Sequence, residues 1–312
     1  MHELILHHYP QSPFAEKARL MLGFKQLSWR SVTIPPIMPK PDLTALTGGY
    51  RKTPVLQVGA DIYCDTALIA RRLEAEKHTP ALFPEGHELA VSALASWADS
   101  SLFLHAVALV FQPEAIAPRL ASMPPEMAQA FLKDRQGLFS GGSAQRVPLE
   151  QALQQWPTFI QRLSQQLARS DSDYLFAQAS LADIAVAHPL WFLKQNPFTA
   201  PLVSDDEVVS AWLERVLGFG HGASEALAST EAVTIAQQAT PSPLAATELL
   251  PLPGVSVGQQ VCVAATDYGV DGVTGELLHA DHEQISLRRE DPRAGTLHVH
   301  FPRLNYRAQP VS

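Results

Sequence analysis

The sequence has little cysteine and no excess of positive charge, and both absences restrict what the protein can be. Cys64 and Cys262 are the two cysteines among 312 residues, so a disulfide framework or a cysteine-based zinc site is excluded. Acidic residues outnumber basic ones by 31 to 23, which gives a formal net charge of −8. We therefore expect neither nucleic acid nor an anionic membrane as a main partner.

The distribution of charged and apolar residues predicts neither a targeting segment nor a membrane span. Residues 1–9 read as a short strand that holds His7 and His8, and they lack the basic and apolar regions of a signal peptide. No apolar run approaches the roughly 18 residues that a membrane span requires. Hydrophobic residues make up 46% and charged residues 17%, as in a soluble globular protein. We expect a cytoplasmic protein of two or three domains.

Residues 1–78 alternate between strand and helix signals. Apolar and turn patterns predict strands up to Tyr9 and over residues 29–34, 55–58 and 62–64, with helices over residues 13–23 and 66–76. Alternating elements of this kind form a mixed sheet covered by helices. The first predicted unit is therefore an α/β domain.

The rest of the chain changes character twice. Residues 88–239 show helical periodicity, with aromatic residues on the predicted helices 89–112 and 181–193. Residues 240–254 are rich in proline and predict a linker. Residues 255–312 carry short strands separated by turn signals, which predict a small SH3-like barrel that docks on the helical domain. The aromatic and basic residues near its end are candidates for a partner-binding surface: Phe301, Arg303, Tyr306 and Arg307.

The segment around Ser12 is the most informative one. Ser12 is placed to cap the helix that follows, and Pro13 occupies the first turn, where a missing N–H has no cost. The free N–H groups at a helix N-terminus stabilise an anion. If that anion is a thiolate, the arrangement lowers the thiol pKa and produces a nucleophile. A plain structural cap is the alternative.

Three short motifs occur in a characteristic order. They are Ser12-Pro13-Phe14, then Thr53-Pro54-Val55-Leu56, then Asp65-Thr66. Together they resemble the cytosolic glutathione transferase family, most closely its serine (tau-like) and cysteine (omega-like) branches. The resemblance covers about residues 1–239 and implies a thioredoxin-like N-terminal domain followed by an all-α C-terminal domain. Members of that family ordinarily end before residue 240, so the predicted β domain is an addition.

The resemblance also implies roles for individual residues. Ser12 corresponds to the catalytic residue that hydrogen-bonds the sulfur of glutathione. Tyr9, which other branches use for catalysis, is assigned here to the pocket wall, and Phe14 contacts the ligand. Lys40 and Lys52 serve the glycyl carboxylate, although either could be a solvated surface lysine.

The remaining assigned positions hold the peptide backbone and the γ-glutamyl end. Pro54 is expected to be cis, so that Thr53 presents its backbone to the cysteinyl unit of glutathione. Asp65 and Thr66 hold the γ-glutamyl group, with simple helix capping as the alternative for Asp65.

The predicted function is conjugation of the glutathione thiolate, with glutathione as co-substrate, to a small electrophile in detoxification. The alternative is a non-catalytic glutathione-binding or scaffold module whose barrel recruits a protein partner. Omega-like thiol–disulfide exchange needs a cysteine at position 12 and is disfavoured. The family also implies a homodimer. No metal is expected, because the pairs His279/His282 and His298/His300 do not by themselves supply three or four convergent ligands.

Overall fold

Strands and helices alternate in the first part of the chain, as predicted. The computed structural model describes residues 3–244 and 247–311. Its first elements are β1 (Leu4–His8), α1 (Pro13–Phe24), β2 (Ser28–Thr33), α2 (Pro41–Thr47), β3 (Val55–Val58), β4 (Asp61–Cys64) and α3 (Thr66–Glu76). β1 is parallel to β2 and antiparallel to β3, and β3 is antiparallel to β4. This is the mixed sheet of a thioredoxin-like domain.

A helical region follows this sheet. It contains α4 (Glu88–Trp97), a π-helical segment (Ala98–Leu102), α5 (Phe103–Val110), α6 (Pro113–Ala121), α7 (Pro125–Leu138), α8 (Leu149–Arg169), α9 (Leu181–Lys194), α10 (Pro201–Ser204), α11 (Glu207–Leu217) and α12 (Ser229–Gln238). A short strand between α11 and α12, β5 (Ala223–Ala226), pairs with β2. Ser180 and Asp183 form a capping box at the start of α9. α9 is buried along most of its length and is the central helix of this region.

The run Glu88–Val110 is long and apolar enough to cross a membrane by length and composition alone. The expectation that no apolar run approaches about 18 residues is therefore wrong by this criterion. Val91, Leu102 and Leu109 of this run lie in the main hydrophobic core. Such burial is what a core helix of a folded domain shows.

The predicted C-terminal β-rich region is present and consists of five strands. They are β6 (Gln260–Ala265), β7 (Val273–Ala280), β8 (Gln284–Asp291), β9 (Gly295–Pro302) and β10 (Tyr306–Pro310), paired antiparallel in the order β10-β6-β7-β8-β9. β9 also pairs in parallel with β4, where Ile62 lies opposite Val299. The C-terminal strands therefore extend the sheet of the first domain, whereas the sequence had suggested docking on the helical domain.

One apolar core joins the C-terminal strands to the first domain. Val55 and Ile62 belong to the same buried cluster as Leu297, Val299 and Phe301. Tyr306, which the sequence had suggested for a partner surface together with Phe301, is also buried. Both aromatic residues therefore stabilise the junction between the two regions.

Candidate active site

Ser12 lies at the N-terminus of α1, where its backbone is extended (φ −76°, ψ 121°). Its Oγ accepts a hydrogen bond from the backbone N–H of Ala15 at 3.2 Å, and Pro13 occupies the first turn. In the part of the chain that the structure describes, the Ser12 hydroxyl hydrogen has no acceptor. Although only 3% exposed, Ser12 lines a cavity of about 710 Å³, here called the Ser12 cavity. Its hydroxyl is free to donate to a ligand in that cavity.

The Ser12 cavity combines positive charge with aromatic walls. Five cationic side chains line it and no carboxylate does; the cations are Lys40, Arg51, Lys52, Arg119 and Arg135. The aromatic lining includes Tyr9 and Phe14, together with Phe103, Phe111 and Phe192 from the helices that the sequence analysis named. This lining suits a ligand that has both an anionic group and an apolar part.

Lys40 is the most deeply buried of these cations. It is 4% exposed, and its Nζ donates to Thr53 Oγ1 at 3.0 Å. Burial, with the nearby Arg135 adding to it, lowers the pKa of Lys40 to about 8. Near neutral pH most of the population is still charged, and an anionic ligand at this ammonium stabilises the charged form.

Two of the assigned residues form the step between α2 and β3. The peptide bond between Thr53 and Pro54 is cis, as predicted. Thr53 lines the Ser12 cavity, whereas Pro54 is buried and does not line it.

Asp65 and Thr66 lie at the start of α3, as predicted, and Asp65 lines a second cavity of about 1100 Å³, here called the Asp65 cavity. Asp65 Oδ1 accepts the backbone N–H of Ala67 at 3.0 Å, and its φ of 75° is unusual for a residue other than glycine. Thr66 is 3% exposed, and its hydroxyl accepts from Lys17 Nζ at 3.2 Å. Thr66 lines neither cavity.

A buried charge network that the sequence analysis missed supports this end of the site. Lys17 Nζ lies 2.5 Å from Asp99 Oδ2, and His188 Nε2 lies 3.0 Å from Asp99 Oδ1. Burial raises the pKa of Asp99, but Lys17 and His188 outweigh burial, so the net pKa lies below its usual value. The sequence feature that could have indicated this network is Lys17, a lysine on the apolar, inward face of α1.

The C-terminal strands also contribute to the site, which the sequence analysis did not foresee. Lys52 Nζ lies 2.7 Å from Asp267 Oδ1 and 4.3 Å from the ring centroid of Tyr268. Lys52 and Tyr268 line both cavities and therefore lie between them. Beside them, the Tyr306 hydroxyl donates to Asp65 Oδ2 at 3.0 Å.

The loop that carries Asp267 and Tyr268 is anchored to the helical region. The Asp267 carbonyl accepts the N–H of Ala144 at 3.0 Å, and the Tyr268 ring stacks on Phe139 with centroids 4.9 Å apart. The walls of these cavities therefore include residues far beyond the motifs between Tyr9 and Thr66.

One histidine pair considered for metal binding gains a third group. Asp61, His298 and His300 each place a potential ligand atom within 4.8 Å of the others. Asp61 Oδ1 lies 3.1 Å from His300 Nε2, and Asp61 Oδ2 accepts the N–H of Ser242 at 2.9 Å. These hydrogen bonds connect β4 to β9 and to the segment 240–254 that precedes β6.

Comparison with known proteins places this geometry in a family. Residues 6–81 match the model of the glutathione S-transferase N-terminal domain, and residues 146–215 match that of the C-terminal domain. A crystal structure of a GST-like protein from Pseudomonas syringae is 55% identical, covers 100% of both chains and superposes with a TM-score of 0.84. The chain belongs to the glutathione S-transferase family. The match with the Pseudomonas syringae protein includes the C-terminal strands.

Two further glutathione S-transferases, both at most 21% identical, share the fold over part of this chain. A glutathione S-transferase from Rhodospirillum rubrum F11 is 20% identical over 69% of this chain and 87% of its own, with a TM-score of 0.52. Glutathione S-transferase III in its apo form is 21% identical over 77% of this chain and 100% of its own, with a TM-score of 0.51. A search of curated proteins gives no match. The serine-type, tau-like or omega-like subtype stays a prediction.

Proposed function

We propose that this glutathione S-transferase family member conjugates the thiolate of glutathione to a small electrophile. The observation that carries the proposal is the Ser12 hydroxyl, which has a free hydrogen at the N-terminus of α1 inside a cavity lined with cations. An O–H donor and the helix N-terminus both stabilise negative charge at the same point. A thiol placed there becomes a better nucleophile at neutral pH.

The two cavities suit the two charged ends of glutathione. In this proposal the γ-glutamyl ammonium pairs with Asp65 in the Asp65 cavity, and the glycyl carboxylate pairs with Lys40 and Lys52. The sulfur lies at Ser12, whose O–H donates to it while the thiol proton leaves to solvent. The thiolate then supplies the electron pair for the new S–C bond, and the leaving group departs with the pair of the broken bond.

Ser12→Ala tests this assignment. We expect kcat/KM to fall about a hundredfold, the usual effect of removing one hydrogen-bond donor to a developing charge. The dissociation constant for S-methylglutathione should change no more than a few-fold, because the hydroxyl contacts only the sulfur. Ser210→Ala, on α11 of the helical domain, is the matched control. Unchanged turnover of several electrophiles by Ser12→Ala would remove Ser12 from the mechanism and favour Tyr9.

A non-catalytic glutathione-binding or scaffold role is the second candidate. The observation that favours it is that Lys52 already pairs with Asp267, and Asp65 with Tyr306, within the chain itself. Under this alternative the protein binds glutathione by calorimetry but conjugates none of a broad panel of electrophiles. Measurable conjugation that depends on Ser12 excludes it.

A further inference from the structure

Arg119 is one of two cations of the Ser12 cavity that have no acidic partner among the described residues. It belongs to α6, and its guanidinium lies 4.4 Å from the ring centroid of Phe131. Burial lowers the pKa of Arg119, the nearby Tyr9 opposes this shift, and the nearby Arg135 adds to it. Its charge is therefore partly desolvated, and among the described residues no carboxylate compensates it.

Most of the neighbouring cations are already paired. Arg51 lies 3.1 Å from Asp134 Oδ1 and Arg135 lies 2.5 Å from Asp134 Oδ2. Lys52 pairs with Asp267, as described above. Lys40 and Arg119 are thus the two cavity cations that lack a carboxylate within salt-bridge distance among residues 3–244 and 247–311. If Lys40 binds the glycyl carboxylate of glutathione, Arg119 remains for the second substrate.

Aromatic side chains line the same cavity as Arg119. Tyr9, Phe111, Phe131 and Phe192 all line it, and the rings of Phe111 and Phe131 stack with centroids 6.2 Å apart. A flat apolar ligand packs well against such walls. An anionic group on that ligand would pair with a guanidinium that has lost part of its hydration.

We propose that the electrophile is an aromatic or similarly apolar compound bearing a carboxylate or other anionic group, and that Arg119 binds this group. The proposal rests on the conjugation function above, because it names the second substrate of the same site. Arg119 acts here as a specificity-determining residue, and Ser12 keeps its role at the sulfur.

A matched pair of electrophiles tests the proposal. Glutathione displaces chloride from 4-chloro-3-nitrobenzoate and from the uncharged 4-chloro-3-nitrobenzamide: an S–C bond forms, the C–Cl bond breaks, and chloride leaves with its electron pair. After division by the uncatalysed rates, the parent protein should favour the carboxylate by about tenfold in kcat/KM, as one charge-assisted hydrogen bond allows. Arg119→Gln should abolish that preference through a higher KM, and Arg119→Lys should retain part of it.

The control variant is Arg169→Gln, which removes the same charge at the exposed C-terminal end of α8. It should leave the preference unchanged. Equal preference for both compounds in the parent protein overturns the proposal without any variant. An unchanged preference in a folded Arg119→Gln variant, checked by thermal melting, overturns it as well.

A binding measurement separates this proposal from the conjugation function. Calorimetry with the unreactive pair 3-nitrobenzoate and 3-nitrobenzamide needs no turnover. Tighter binding of the carboxylate that depends on Arg119, together with no conjugation, would support the anion site and refute the transferase function. Conjugation without a preference for the carboxylate would support the transferase function and refute the anion site.

Discussion

The pairing of Lys52 with Asp267 predicts that the C-terminal strands weaken glutathione binding. In the proposed mode, the glycyl carboxylate competes with Asp267 for the same ammonium. Asp267→Asn keeps the shape of the side chain and removes its charge, so Lys52 becomes available. The side chains are 11% and 34% exposed, and ion pairs of this kind contribute about 0.2–1 kcal/mol. Glutathione should therefore bind up to about fivefold more tightly to the variant.

Calorimetry with glutathione and with its glycyl ethyl ester measures this effect. The ester lacks the carboxylate that Lys52 would bind, so the gain in affinity should appear with glutathione and disappear with the ester. Asp173→Asn breaks a comparable pair with Arg215 on the surface of the helical domain and is the control. If Asp267→Asn binds glutathione no more tightly than the parent protein does, Lys52 does not bind the glycyl carboxylate.

Three further predictions follow from the site and the family. Glutathione affinity should weaken as the pH rises through about 8, because Lys40 loses its proton there. In calorimetric titrations, Lys40→Arg should remove this part of the pH dependence. Asp65→Ala should weaken glutathione binding by about 2–5 kcal/mol with a smaller effect on turnover, and an unchanged dissociation constant would refute its role. The protein should sediment as a dimer at micromolar concentration, and a species of only 34.0 kDa, the chain mass, would contradict this.

Much of the first domain was predictable because its signals are local. The cap at Ser12, the step at Pro54 and the helix start at Asp65 are each set by residues within a few positions, and the structure has each where the sequence analysis put it. α2 is not among the helices predicted from the sequence, because Pro35, Pro36, Pro39 and Pro41 favour a loop there. A proline in the first turn of a helix and a glycine at its end are equally consistent with a short helix.

The contributions of the C-terminal strands to the site depend on contacts that no local pattern encodes. Asp267 and Lys52 are 215 positions apart in sequence, and they meet because β9 pairs with β4 and the Asp267 loop is anchored to the helical region. The sequence predicted the strands themselves, but not the edge against which they would pair. For the same reason Tyr306 was predicted at the surface, whereas it is buried beside Asp65.

The shared core changes what truncation after residue 240 should do. The ligand motifs all precede residue 67, so the sequence alone predicts that a chain truncated after about residue 240 keeps conjugation activity and loses thermal stability. In the structure, however, truncation removes Val299 and Phe301, both fully buried, from the cluster that covers Ile62. Burial of each such side chain contributes about 1.5–3 kcal/mol, and whole domains are stable by only about 5–15 kcal/mol. Removal also exposes β4 as an unpaired apolar edge strand, which favours aggregation.

We therefore expect the truncated chain to be insoluble or to melt well below the parent in circular dichroism. A soluble truncated chain that melts at the parent temperature would show that the first two domains are independent of the C-terminal strands.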